Sequence, residues 1–285
     1  MTSRRDLLLA LGASALAPSL LRANERAHLN ARGAMSTPAV GTQLYVMRKQ
    51  MFEDPEGTIA RIAQLGYAEI EWWGTWARTP AQLRAMLDAN GLRSPSLHVG
   101  ASALKLDQLP ALLDRASAMG HTTLIIASLE ANERDSEDKW KAVANLLNEA
   151  ARTASAHGIR TGYHNHGGEF TRFDTRNAYE ILHTETDPTL VDFQLDAYWA
   201  LRDGFDPLTL YRQHADRITT LHLKDAAPAP PHAQVELGDG IIDWPGLIRE
   251  GASHRVKSLF LDIDDPADAW ATADSARRHL RSLGY

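Results

Sequence analysis

The sequence contains no cysteine, and its 36 acidic residues outnumber its 30 basic ones, which gives a net charge of −6 at pH 7. The lack of cysteine excludes disulfides and thiolate metal sites, so a metal ion would have to be held by His, Asp, Glu or water. The lack of a basic excess argues against nucleic acid as a partner. A chain of 285 residues with 44% hydrophobic side chains can bury the core of one large globular domain.

The sequence also lacks the run of about 20 apolar residues that a membrane-spanning helix needs. An apolar stretch at 7–21 is shorter than that and follows the paired arginines Arg4 and Arg5. A short apolar stretch after a positive start is typical of a signal peptide, and paired arginines are typical of twin-arginine export. We therefore predict a twin-arginine signal peptide over 1–23, a linker over 24–37, and a periplasmic or secreted protein with no stable membrane anchor. The alternative is an ordinary N-terminal helix.

Short apolar runs alternate with amphipathic stretches from residue 38 to the C-terminus. Eight runs are bounded by turn residues: 41–47, 67–72, 94–99, 122–128, 160–164, 190–196, 218–223 and 258–263. Several are almost continuously apolar, which is typical of parallel strands covered on both faces. Eight strands alternating with eight helices predict a single (β/α)8 TIM barrel of the α/β class over 38–285. A doubly wound open sheet is the alternative, and it is disfavoured because no glycine-rich phosphate motif follows the first strand.

Imidazole or carboxylate side chains end each of the last four predicted strands. In a barrel of this kind the strands' carboxyl ends form the active site. Buried ionisable groups need a partner or a metal ion, and two imidazoles with two carboxylates make a mixed nitrogen and oxygen site. We therefore predict one divalent metal (Mn, Co, Zn, Mg or Fe), which would bind neighbouring sugar oxygens and acidify the adjacent C–H bond. The predicted ligands are His164, Asp196, His222 and Asp262.

Other strand ends offer groups for substrate. Glu71 ends the second predicted strand and His98 the third, and both could hydrogen-bond substrate hydroxyls. Trp199 follows the sixth strand, and an indole ring suits stacking on a carbohydrate. The alternatives are hydrogen bonds within the barrel for Glu71 and His98, and packing at the rim for Trp199.

Three further polar residues follow the fifth and seventh strands, namely His166, Glu169 and Lys224. Their position beside the predicted metal makes them candidates for proton transfer and for orienting substrate oxygens. The simpler interpretation is that His166 and Glu169 cap the loop after the fifth strand. Lys224 could equally form a surface ion pair with Asp225.

These strand ends resemble those of the xylose-isomerase-like sugar phosphate isomerase/epimerase superfamily. The similarity extends over nearly all of the chain after residue 38. The segments that carry it are Tyr163-His164-Asn165-His166 with Glu169-Phe170, Leu195-Asp196 with Trp199, His222-Leu223-Lys224-Asp225, and Gly238-Asp239-Gly240 with Asp243-Trp244. The resemblance implies a metal held by Glu, Asp, His and Glu from strands five to eight.

The sequence departs from this pattern twice, because His164 stands at the first Glu position and Asp262 at the last. In epimerases of the superfamily the two metal-bound glutamates also move protons on opposite faces of the substrate. A metal-bound imidazole is poorly suited to that task, so we expect Glu169 to act as general base with His166 and Lys224 assisting. The departure leaves room for a lyase.

The resemblance therefore implies a metal-dependent isomerase or epimerase of a sugar or keto-sugar. The alternatives are a metal-dependent lyase or dehydratase acting on 3-keto-glycosides or inosose-like substrates, and a non-catalytic carbohydrate-binding barrel with a decayed site. The related apurinic-site endonucleases are disfavoured by the acidic charge. The expected partner is a small-molecule sugar, and a homo-oligomer is left open.

Overall fold

The computed structural model describes residues 37–285, and the predicted signal peptide and most of the linker lie outside this range. Eight parallel strands form one sheet. Their bounds are β1 Ala39–Gln43, β2 Glu69–Glu71, β3 Ser96–Gly100, β4 Thr123–Ser128, β5 Arg160–His164, β6 Val191–Asp196, β7 Ile218–Leu223 and β8 Ser258–Leu261. Neighbouring strands follow the order β2-β1-β8-β7-β6-β5-β4-β3. The chain is therefore a single α/β TIM barrel, as predicted.

The barrel is nearly closed because backbone hydrogen bonds also join β2 to β3. The amide of His98 donates to the carbonyl of Trp72 over 2.9 Å, and the amide of Trp72 donates to that of Ser96 over 2.9 Å. These bonds form only isolated bridges, since β2 is three residues long. The gap in regular pairing lies at the strand that carries Glu71.

The described residues contain ten α-helices rather than the predicted eight. The first helical segment is divided at Asp54-Pro55 and the sixth at Gly204–Asp206. At both breaks a proline starts the new helix, and at the second a glycine also follows the end of the previous helix. The helices are Arg48–Glu53, Pro55–Leu65, Pro80–Ala89, Leu109–Met119, Glu137–Ser155, Ala178–Glu185, Ala197–Arg202, Pro207–His214, Trp244–Ser253 and Ala269–Ser282.

Apolar side chains fill the space between the strands and the surrounding helices. Trp140 and Trp244 are fully buried on helices, where they cover the outer face of the sheet. Gly41 on β1 permits a close approach, because a Cβ atom there would lie 2.6 Å from the Phe260 ring. Within residues 37–285, no helix is long and apolar enough to cross a membrane.

The long connection after β7 folds back on itself. Residues 225–226 pair antiparallel with 234–235. The buried Asp225 carboxylate accepts hydrogen bonds from the amides of Ala226, Gly238 and Ile242 at 2.8, 3.0 and 3.3 Å. Asp225 therefore orders this connection and is not the surface ion-pair partner of Lys224.

Candidate metal centre

The carboxyl ends of β5 to β8 bring the four predicted ligands together. The register pairs Asp196 on β6 directly with His222 on β7, while His164 on β5 lies opposite Gln194. Candidate ligand atoms of His164, Asp196, His222 and Asp262 all lie within 4.8 Å of one another, and all four side chains are buried. A group of this composition and spacing can hold one divalent ion with mixed nitrogen and oxygen ligands.

Two atoms of this group are buried without a hydrogen-bond partner. They are Nδ1 of His164 and Oδ2 of Asp196, and the second of these has the Lys224 ammonium 3.3 Å away as an ion-pair partner. Burial holds the pKa of His164 well below its usual value, so the ring is neutral and offers a lone pair. An unpaired buried acceptor costs about 1–3 kcal/mol unless something satisfies it. A cation between the two atoms would remove that cost, so the donor set fits a metal.

His222 is held at both ring nitrogens by carboxylates. Its Nε2 lies 2.6 Å from Oε1 of Glu71, and its Nδ1 lies 3.2 Å from Oδ2 of Asp262. Burial alone would lower the pKa of His222, but the two carboxylates outweigh it and raise the pKa to about 10. A metal ligand whose second nitrogen donates to a carboxylate has a fixed ring orientation. Glu71 performs that role here, with Nδ1 facing the cluster.

Glu71 itself is buried in a ring of donors. Oε2 accepts from Ser96 Oγ and from Gln194 Nε2, both over 2.7 Å, while Oε1 lies 2.9 Å from His98 Nε2. Although burial raises the pKa of a carboxyl, His98 and His222 hold that of Glu71 well below its usual range. Glu71 was predicted to bind substrate. In the structure both of its oxygens are occupied, and it orients His222.

His98 lies in the same network. Nδ1 accepts from Gln43 Nε2 over 3.0 Å, which makes Nε2 the protonated nitrogen. That nitrogen lies 2.8 Å from Oε1 of Gln194. His98 also lines the cavity, so the predicted substrate contact remains open to it.

Lys224 is fully buried among three carboxylates. Its Nζ lies 2.9 Å from Asp262 Oδ2, 3.1 Å from Asp264 Oδ1 and 3.3 Å from Asp196 Oδ2. Burial would lower the pKa of Lys224, yet the three carboxylates raise it above its usual value. The same ammonium, with His222, holds the pKa of Asp262 well below its usual range despite burial. Lys224 is therefore a fixed cation next to the metal ligands.

A cavity of about 340 Å³ opens directly above this cluster. That volume suits a small molecule. His166 lines it and has a ring Nδ1 that is buried without a hydrogen-bond partner. Burial lowers the pKa of His166 to about 3, so the ring is neutral. The other lining residues include Gln43, Tyr45, Trp73, His98, Ala127, Ser128, His164, Asp262 and Asp264.

Comparison with known proteins agrees with this geometry. The profile of the xylose isomerase-like TIM barrel family matches residues 59–282. The chain belongs to that family. The resemblance found in the sequence is thereby confirmed.

Relatives in the family bear names from sugar chemistry. The inosose dehydratase of Geobacillus kaustophilus (strain HTA426) is 27% identical over 188 residues, which cover 59% of this chain and 60% of that protein. The chain spans less than two thirds of the length of the first curated relatives that it matches.

Two solved structures share the barrel. A sugar phosphate isomerase/epimerase from Parabacteroides distasonis ATCC 8503 superimposes with a TM-score of 0.74 at 23% identity, covering 88% of this chain and 96% of that one. The IOLI protein, solved with a bound zinc atom, gives a TM-score of 0.65 at 14% identity and covers 86% of this chain and 97% of that one. At these identities the likeness concerns the fold alone.

Glu169 lies outside the group that the family barrel gathers around the cavity. Its Oε1 accepts from the hydroxyl of Tyr163 over 2.8 Å, and its Oε2 accepts from the amide of His166 over 3.2 Å. Tyr163 points away from the barrel interior, towards Trp140 on a covering helix. Burial raises the pKa of Glu169. The predicted general base is thus directed at the loop that carries His166, which leaves its role in proton transfer a prediction.

Trp199 is half-buried and is not among the residues that line the cavity. Its ring lies 5.8 Å from that of His166, and the Arg202 guanidinium lies over it at 4.9 Å. The ring centre is 5.7 Å from Nζ of Lys224. The predicted stacking of Trp199 on substrate is not supported by a direct opening to the cavity, and its contacts position His166 and Lys224.

Sequence reasoning missed three amide side chains that hold the centre together. Gln43 and Gln194 complete the network around Glu71 and His98. Asn165 bridges β5 to β6, because its Oδ1 accepts from the amide of Asp196 over 3.0 Å and its Nδ2 donates to the Asp196 carbonyl over 3.1 Å. The one available signal was their position at or beside the strand ends.

Proposed function

We propose that the chain is a divalent-metal-dependent enzyme that removes a proton beside the carbonyl of a sugar or keto-sugar. The observation that carries the proposal is the buried four-residue group beneath a cavity of sugar size, in which His164 Nδ1 has no partner and Asp196 Oδ2 has only the Lys224 ammonium at 3.3 Å. The bound metal would polarise the carbonyl oxygen and stabilise the negative charge that develops on it. The names of the family's relatives are in keeping with such a substrate.

His166 is the proton acceptor in this proposal. Its neutral ring lines the cavity, whereas the Glu169 carboxylate is bound to Tyr163 and to the loop backbone. Lys224 remains an ammonium beside Asp262 and Asp264, where it balances the charge of the carboxylates. We expect His166→Gln to lower the turnover number by about 10²- to 10⁴-fold while metal content stays at the parent level.

Two outcomes can follow the loss of the proton. In an isomerisation or epimerisation, a proton returns to carbon and the molecular formula of the sugar is unchanged. In an elimination, the electron pair of the broken C–H bond forms a C=C bond, the C–O bond at the next carbon breaks, and the leaving oxygen takes up a proton.

One feature of the cavity favours elimination as the second candidate. An epimerase needs proton-transfer groups on both faces of the substrate. Among the described residues that line the cavity, Asp262 and Asp264 are bound to Lys224 and His98 is bound to Gln43 and Gln194. Apart from the candidate ligand His164, His166 is therefore the one imidazole among these lining residues without a hydrogen-bond partner, and one base suffices for elimination. The inosose dehydratase relative agrees with this candidate.

The test begins with elemental analysis of the purified protein beside an Asp196→Ala/His222→Ala variant. Near one equivalent of a divalent metal in the parent, and none in the variant, is the expected result. Incubation with keto-sugars in D2O then separates the outcomes, since deuterium uptake with an otherwise unchanged formula indicates isomerisation and loss of water or an alcohol indicates elimination. A parent that takes up no metal even from excess divalent ions would contradict the proposal and leave the carbohydrate-binding barrel.

A further inference from the structure

A second depression lies beside the metal cavity and shares a wall with it. This aromatic groove encloses about 420 Å³ and is lined by Phe52, Trp73 and Trp76, together with Met51 and Pro55. Trp73 also lines the metal cavity. The two spaces therefore meet at one indole ring.

The rings form a continuous series from one space to the other. Tyr45 lies in the metal cavity, and its ring centre is 5.1 Å from that of Trp73. Trp73 is 5.3 Å from Trp76, and Trp76 is 4.8 Å from Phe52, with edge-to-face geometry at each step. These are ordinary contact distances between aromatic rings. The series comes from the segments after β1 and β2.

The outer end of the series is exposed. Phe52 retains 74% of its accessible surface, and in residues 37–285 only three other large apolar side chains are exposed, Tyr45, Leu106 and Ile241. Two of those four belong to this one series. Single exposed apolar residues are common, but a contiguous set that leads into a cavity indicates a ligand surface.

The backbone of this segment is held in an unfavourable conformation. Trp76 and Ala77 have φ angles of 53° and 51°, in the left-handed region that bulky residues rarely adopt. The conformation is fixed because Trp76 Nε1 donates to the Trp73 carbonyl over 2.7 Å and the Arg78 guanidinium pairs with Glu56 at 3.2 Å. Strain of this kind is concentrated at ligand-binding sites. The Trp76 ring is buried in this conformation and lines the groove.

Polar groups border the aromatic surface. Glu53, Thr75 and Arg78 line the same groove, and the first two are exposed. An aromatic wall with hydrogen-bonding groups at its edge matches a sugar ring, whose C–H faces are apolar and whose hydroxyls point outward. A purely apolar ligand would leave these polar groups unused.

We propose that the aromatic groove binds the second ring of a glycoside whose first ring lies at the metal. This inference rests on the proposed function and narrows its substrate class from free sugars to glycosides with at least two rings. In the elimination branch the second ring would be the leaving alcohol, so the groove would bind the part of the substrate that departs.

The experiment measures binding of matched ligand pairs to the metal-loaded protein by calorimetry. Each pair is a methyl 3-keto-glycoside and the corresponding 3-keto-disaccharide, in gluco and galacto forms. The variant is Phe52→Ala, which removes an exposed ring and leaves the fold intact. The matched control is Leu106→Ala, an exposed apolar side chain outside the groove with 60% of its surface accessible.

We expect the parent to bind one disaccharide more tightly than its methyl glycoside, and Phe52→Ala to weaken that disaccharide by roughly five- to tenfold. Methyl glycoside affinity and metal content should stay at the parent level, and Leu106→Ala should change neither. Three results would each overturn the inference. The parent could bind both members of every pair equally, it could bind no pair at all, or Phe52→Ala could keep the disaccharide affinity of the parent. A change of oligomeric state in Phe52→Ala, measured by sedimentation, would overturn it in favour of an interface between copies.

Metal content and deuterium uptake distinguish the two failures. The protein could hold metal and exchange the proton of a one-ring keto-sugar, yet show none of the expected affinity differences between disaccharide and methyl glycoside. In that case the groove inference is wrong and the proposed function stands. If metal and exchange are both lacking, the proposed function itself is wrong.

Discussion

Replacing Glu71 by glutamine removes the carboxylate that orients the candidate metal ligand His222. The substitution keeps the size of the side chain and replaces one carboxylate oxygen by an amide nitrogen, which cannot accept a hydrogen bond. Four donors currently converge on this carboxylate, from Ser96, Gln194, His98 and His222, at 2.6–2.9 Å. At least one of them must lose its acceptor in Glu71→Gln, and the charge of His222 loses its closest partner.

The magnitude follows from burial and charge. A hydrogen bond to a charged group contributes about 1.5–3 kcal/mol, and breaking a fully buried charge pair costs about 3–5 kcal/mol. Both Glu71 and His222 have no accessible surface, so solvent cannot compensate. We expect Glu71→Gln to lower the free energy of unfolding of the metal-depleted protein by about 3–5 kcal/mol. Loss of the carboxylate behind a metal-binding imidazole should also weaken metal affinity by about 10- to 100-fold.

The assay is urea unfolding of chelator-treated protein followed by far-UV circular dichroism, with metal titration of the refolded samples. Glu69→Gln is the matched control on the same strand. Glu69 accepts from Ser258 Oγ over 2.6 Å and pairs with an arginine that is 71% exposed, so its charge contributes little. We expect Glu69→Gln to cost less than about 1 kcal/mol.

The pH dependence provides an internal check with a defined sign. The pKa of Glu71 lies below its usual value of 4.5, so the folded protein binds fewer protons there than the unfolded chain. The Glu71 carboxylate therefore stabilises the folded protein above about pH 4.5, and this stabilisation is lost as the pH falls below that value. Glu71→Gln should lack this loss. Equal costs for the two variants, or a Glu71→Gln protein within about 1 kcal/mol of the parent, would refute the reasoning.

Two further predictions concern the barrel away from the candidate site. Burial lowers the pKa of His121 from 6.5 to about 4, so the free energy of unfolding falls by roughly 3 kcal/mol as the pH falls from 6.5 to 4. In His121→Asn the amide can still donate to the Ser94 carbonyl, as the ring does over 2.7 Å, and we expect the pH dependence of the urea midpoint in acid to decrease by about one proton. An unchanged pH dependence would contradict the assignment. Gly41→Ala places a Cβ atom 2.6 Å from the Phe260 ring, and we expect it to lower the free energy of unfolding by roughly 1–3 kcal/mol in thermal or urea unfolding. Gly100→Ala, where the nearest atom is 3.9 Å away, should lower it less. The reverse order would contradict the packing argument.

The strands could be predicted because their apolar runs are bounded by turn residues. Strands β5 and β7 begin and end where the sequence predicted. The prediction for β1 continued to Met47, but the structure forms a 3₁₀ helix over Leu44–Met47. Those four residues are as apolar as a strand, and three of them are buried, so hydrophobicity alone could not separate the two conformations.

The ligand residues could be predicted because each ends a strand, whereas the partners that orient them depend on distances across the barrel. Glu71 and His222 are 151 positions apart in the chain, yet their polar atoms lie 2.6 Å apart. The sequence indicated that Glu71 is at a strand end but not whether it faces a ligand or a neighbouring histidine. The sequence likewise did not indicate that the nearest partner of Glu169 is Tyr163, which faces the covering helices.

Under these proposals one half of the barrel opening holds the metal and the other binds the second ring of the substrate. Residues 71–73 connect the two halves. The candidate metal ligands come from β5 to β8, while the aromatic series comes from the segments after β1 and β2. Glu71 reaches across the barrel to His222, and Trp73, two positions later, forms the wall between cavity and groove. Loops at this end of a barrel can vary without disturbing the strands that hold the chemistry. A change in the groove should therefore alter which substrates bind and leave the metal untouched, whereas a change at Glu71 should do the reverse.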